Sequence, residues 1–213
     1  MSEETQVDHQ IASSVFAINL VSWPPASVRD SMLKLQSAVE AVVPSGAVHR
    51  APEDSLHMSI FQLVWARGNS SNSEAAWQVR QSEIVSELQA MASGPWNIVL
   101  AAPRLEVRTA AIILVFPPSS GIEALRHRLE AVPALAGLDS HRPSLQHVSL
   151  FRFTKQVPLN SLQSTCRDIE VDVPPWHMIE VDLVREMVYP SLVLEPLRTF
   201  QLEQNSAIDR HYN

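Results

Sequence analysis

Cysteine is almost missing from this chain of 213 residues, with Cys166 its single example. No internal disulfide can form, which fits a reducing cytoplasm. Glycine is also scarce. None of the five falls into a GxGxxG or GxxxxGK[ST] pattern, so a glycine-rich phosphate cradle is not expected. No apolar run approaches the ~20 residues that span a bilayer. The opening MSEETQVDHQ is polar and acidic, unlike a signal peptide. An excess of cations is lacking too. The formal net charge of −7 argues against a broad basic face for long nucleic acid, whereas a small phosphorylated ligand or an RNA end needs only one pocket.

What is present is an ordinary globular composition, 46% hydrophobic, long enough to bury a sizeable core. Val15–Leu20 reads as a buried strand. After Pro24-Pro25, the spacing of Val28, Met32, Leu35, Val39 and Val42 predicts a helix that Pro44-Ser45-Gly46 ends. Leu56–Val64 reads as a strand. A second helix follows the 68–73 loop, with Ala76, Val79, Ile84, Leu88 and Met91 as its apolar side. Trp96–Val107 and Ala110–Phe116 form a predicted hairpin, followed by a helix to about Val132 and the strand His147–Phe153. A helix over Leu159–Ile169 and a hairpin turning at Tyr189-Pro190 complete the chain. The order helix, strand, helix, hairpin occurs twice, which predicts two similar lobes about an approximate twofold axis.

The repeat carries a motif. His57-Met58-Ser59-Ile60-Phe61 and His147-Val148-Ser149-Leu150-Phe151 lie ninety positions apart, each on a predicted strand. With strict alternation, His57, Ser59 and Phe61 share one face, as do His147, Ser149 and Phe151. A single His-x-Ser means little, since about one is expected by chance in such a sequence. Two copies at matching points of a repeat mean more. Paired imidazoles suit displacement at phosphorus, where one removes a proton from the nucleophile and the other protonates the departing oxygen. The serines can donate to phosphate oxygens, and the phenylalanines can flank a base or ribose.

These strands, their separation and the βα order resemble the two-histidine (2H) phosphoesterases, whose signature is a pair of H-x-[ST]-x motifs. The opening SVFAINL is similar to that family's first strand, and the likeness covers roughly residues 14–202. The resemblance implies an α+β fold, bilobal and duplicated, with two antiparallel sheets facing a central cleft and helices outside. It also implies metal-independent hydrolysis or transesterification of 2′,3′-cyclic or 2′,5′-linked ribonucleotide phosphates. His57 and His147 would then be the catalytic base and acid, and Ser59 and Ser149 the phosphate ligands. A catalytically silent protein that binds a nucleotide or RNA end is the alternative.

Phe61, Phe151, Tyr189 and Arg185 are further candidates for substrate contacts, and Arg50 and Arg67 for the cleft mouth. His49, His127, His141 and His177 lack a serine partner and are expected to be structural or exposed. Asp139, His141 and His147 do not make a metal set, because no spacing recurs with a third ligand. No cofactor is expected. Residues 1–13 read as a flexible polar leader, 14–202 as one bilobal domain and 203–213 as a polar tail, in a cytoplasmic monomer.

Overall fold

The computed structural model describes residues 3–66 and 72–203. Arg67, residues 68–71 of the expected loop and the tail from residue 204 lie outside the described residues. Strand β1 (Ser14–Ser22) is buried over its last six residues. Helix α1 (Ala26–Glu40) starts after Pro25 and buries Val28, Met32, Leu35 and Val39 of the predicted stripe, whereas Val42 falls beyond its end and is exposed. The short strand β2 (Val48–Arg50) precedes β3 (Met58–Val64), which carries the first motif. Helix α2 (Ser73–Ala92) buries Trp77, Ile84, Leu88 and Ala92. Val79, expected on the buried side, is 84% exposed. It lies two positions from Trp77, and on a helix that step turns it to the opposite face.

Each expected hairpin is more broken than its sequence implies. The run 96–107 divides into β4 (Ile98–Leu100) and β5 (Arg104–Val107). The break falls at Ala102, which has φ 49°, and Pro103, which has no N–H to offer a neighbouring strand. The run 176–188 divides likewise into β8 (Trp176–Met178) and β9 (Glu180–Val188). Between the two breaks lie β6 (Ala111–Phe116), α3 (Ser120–Glu130), β7 (Gln146–Phe153) with the second motif, and α4 (Leu159–Arg167). Strand β10 (Val193–Gln201) pairs with β9 across the turn expected at Tyr189-Pro190. The detached pieces β4 and β8 pair with each other as a small second sheet.

The main sheet runs β10-β9-β1-β3-β7-β6-β5, with β2 also paired to β7. All its pairings are antiparallel. Its two halves meet at one residue pair, Met58 opposite Val148. The sheet does not close into a barrel.

The halves exchange parts. The hairpin that follows the first histidine strand, β5–β6, pairs with β7, while the hairpin that follows the second, β9–β10, joins β1 beside β3. Each lobe is thus built from both halves of the sequence. One large core joins them, from Ile18 and Leu20 to Val148, Phe153 and Phe200. Part of the polar leader, expected from composition to be free, is tied down: Thr5, Gln6 and Asp8 donate backbone hydrogen bonds to Val157, Thr109 and Phe153. No helix among the described residues is long and apolar enough to cross a membrane.

Candidate active site

Both motifs depart from strict alternation at the same point. Along β3 the partners on β1 pass from Ser59 directly to Phe61, leaving Ile60 as an extra residue. Along β7 the partners on β6 pass from Ser149 to Phe151, leaving Leu150 extra. Each is a β-bulge, and one inserted residue reverses which face the later side chains take. His57 and Ser59 therefore share the cleft with Gln62, and His147 and Ser149 with Arg152. Phe61 turns into the core and is 2% exposed; it does not line the cleft. Phe151 is similarly buried and contributes only to the cleft floor.

A cavity of about 280 Å³ lies where the half-sheets meet. Both motif histidines and both serines line it. The antiparallel register through Met58 and Val148 sets His57 across from Ser149, and Ser59 across from His147. The cavity thus has an imidazole and a hydroxyl from each of the two strands. His57 Nδ1 lies 2.7 Å from the Ser55 carbonyl and so carries the hydrogen. Its Nε2 is left as an acceptor for Ser59 Oγ at 3.3 Å. Leu145, in the equivalent place two residues before His147, turns its carbonyl toward His147 Nδ1 but closes no hydrogen bond of good geometry.

Burial pushes the His57 pKa down to about 4, against a smaller opposing effect of the Ser55 carbonyl. Burial does the same to His147, also to about 4, with the charge of Arg152 as the next cause. Both rings are therefore neutral at pH 7. A nearby anion favours the charged form of an imidazole.

The remaining candidates separate. Tyr189 lines the cleft, with its hydroxyl 3.0 Å from Asp8 Oδ2. Arg185 points to the other face of β9, over the Phe16 ring and within 4 Å of Glu74 and Glu195. Arg50 is held by Gln36 and Glu40, outside the cavity. His127 and His177 are exposed, as expected. His49 and His141, expected to be structural or exposed, line the cavity. So do Asn19, Trp65 and Glu186, none of them anticipated. Asn19 Nδ2 donates to Glu186 at 3.1 Å, and burial raises the Glu186 carboxyl. Trp23 meets His57 edge to face at 5.4 Å and donates to Asp182. Among the described residues no group of three His, Cys, Asp or Glu side chains is placed to share a metal ion.

Two buried polar side chains hold the bulges. Arg126 on α3 is 1% exposed. It donates to the carbonyls of Ile60 at 3.0 Å, Ser59 at 3.4 Å and Leu145 at 3.0 Å. Gln36 on α1 is fully buried and donates to Leu150 at 3.1 Å and Ala51 at 2.9 Å. Each lies twenty-one positions ahead of a motif histidine, and each bonds the bulge of the opposite motif. One sign of the bulges is visible in the chain itself. In HMSIFQ and HVSLFR, two adjacent apolar residues interrupt an otherwise alternating strand.

Two half-sheets joined at paired histidine strands, with helices outside, are an architecture this chain shares with several solved structures. TT0787 of Thermus thermophilus aligns with a TM-score of 0.59 at 17% identity, over 89% of this chain and 99% of that one. E. coli LigT in complex with 3′-AMP aligns at 0.58 and 16% identity over the same shares. A protein described as a phosphoesterase aligns at 0.56 and 17%, again over 89% and 99%. No family model and no curated protein matches the sequence.

Proposed function

We propose that this chain is a phosphoesterase that hydrolyses or transesterifies 2′,3′-cyclic or 2′,5′-linked ribonucleotide phosphates, acting through His57 and His147. One observation carries the reading: two His-x-Ser pairs, related by the repeat, line one cavity of about 280 Å³. In the forward direction the neutral imidazole accepts the proton of the attacking water or ribose hydroxyl. The imidazole charged by the incoming phosphate gives its proton to the departing oxygen, and the roles reverse in the return reaction. Each transfer is worth ~10²–10⁴-fold. Ser59 and Ser149 donate to the non-bridging oxygens, and Arg152 adds a positive charge beside His147. The scheme routes no step through a metal, and residues 14–202 are the unit that performs it. E. coli LigT, solved with 3′-AMP, phosphate and ATP, supports a nucleotide phosphate as the ligand.

The test is turnover of 2′,3′-cyclic nucleotides and 2′,5′-oligoadenylate by the wild type, His57→Ala and His147→Ala. Each variant should keep its fold by circular dichroism and lose at least ~10³-fold in kcat, because the proton transfers act together. Turnover surviving either change would sink the assignment. Phosphate binding without turnover in the wild type would instead identify a binding protein.

A further inference from the structure

The duplicated cleft has two unlike ends. One is charged: Arg152 lies near Glu186 and Asn19, with Tyr189 and His49 beside them. The other is aromatic. There Trp65 and His141 stack with ring centres 4.8 Å apart and planes 18° from parallel, next to Gln62. The backbone holds the stack. Trp65 N donates to Asp139 at 2.8 Å, and Gln62 and His141 exchange both backbone hydrogen bonds, at 3.0 and 2.8 Å. Core packing does not account for the pair, since Trp65 is half-buried and His141 is exposed. The repeat does not account for it either. The position equivalent to Trp65 in the second half is Lys155, which reaches for the Ser45 carbonyl rather than the cleft.

We propose that the Trp65–His141 stack is the nucleobase subsite of the cleft, which makes its ligand a nucleoside phosphate bound in one orientation. This deepens the phosphoesterase reading and rests on it. A flat ring adds to the existing layers whatever its sequence, because every base has a π-face. The Gln62 amide at the edge of the stack offers both a donor and an acceptor to a base. The charged end, where Arg152 lies near Glu186, offers no comparable ring stack for a base to join. The ribose then bridges the stack to the phosphate between His57 and His147, and the twofold ambiguity of a duplicated site is resolved by one tryptophan.

Titration calorimetry of 3′-AMP, an abasic ribose 3′-phosphate and inorganic phosphate against the whole protein tests this. The wild type should bind 3′-AMP more tightly than the two ligands without a base. Trp65→Leu should lose about tenfold to a hundredfold of the 3′-AMP affinity, the scale of one base–aromatic stack, and keep its affinity for the other two. Trp65→Phe should recover most of the loss. His141→Leu, at an exposed position that folding tolerates, should weaken 3′-AMP alone by about tenfold. If 3′-AMP binds no better than phosphate, or if Trp65→Leu and His141→Leu both keep the wild-type affinity for it, the subsite is wrong while the phosphoesterase reading stands. A wild type that binds none of the three ligands overturns both.

Discussion

The two histidine strands are near-copies in backbone and unlike in electrostatics. Both bulge one residue after the serine, both turn their phenylalanine inward, and both are held by a buried polar side chain from the helix ahead of the other strand. At the holding position, however, one strand meets Gln36 and the other Arg126. At the cleft position after the bulge, one carries Gln62 and the other Arg152. Among the described residues, the second strand therefore brings to the cleft a positive charge that the first does not, and His147 feels it where His57 does not. The repeat supplies two equivalent strands to one cleft, and different residues at equivalent places make them unlike. A cleft with equal halves would bind its ligand either way round.

That contrast can be broken at its strongest point. Arg126→Gln would put the same residue at both holding positions. It should cost about 2–4 kcal/mol, because the buried Ile60 and Leu145 carbonyls lose a charged donor. Gln36→Leu removes a neutral donor and should cost about 1–3 kcal/mol. Chemical denaturation of the two variants measures the difference, and an Arg126→Gln cost below that of Gln36→Leu would contradict it.

Arg152→Gln equalises the cleft instead. We expect kcat/KM to fall about tenfold to a hundredfold, the scale of one charge-assisted phosphate contact. The pKa of His147 should also rise, since a neighbouring positive charge opposed its protonation, whereas that of His57 should hold. Ring titration by NMR separates the two histidines, and a rise at both rings would show that the charge is shared.

The smallest effect belongs to the phenylalanines. Phe61→Leu and Phe151→Leu are core changes of modest volume and should cost roughly 1–2 kcal/mol each. Phe61→Leu should leave KM and kcat within about twofold, as its ring is outside the cleft. Phe151 lies in the floor, so its variant should show the larger KM change of the two.

Much of this site was legible in one sequence. The motif pairs, their strands and the repeat follow from apolar spacing and from residue types that neighbours in the chain fix locally. The phenylalanines were misplaced because period-two alternation assumes an unbroken ladder, and a bulge forms only when the partner strand is present to skip a residue. His49, His141 and Trp65 carry no local sign, since each reaches the cleft by pairing with, or stacking beside, a segment far away in sequence.

Consecutive residues were enough to put two histidines and two serines at equivalent points of a duplicated α+β fold, because alternation and helical spacing are local properties. What surrounds those four side chains was settled only when the lobes assembled. The hairpins and helices cross between lobes, so the groups that depress the histidines, hold the bulges and distinguish the two ends of the cleft come from parts of the chain that no local pattern connects.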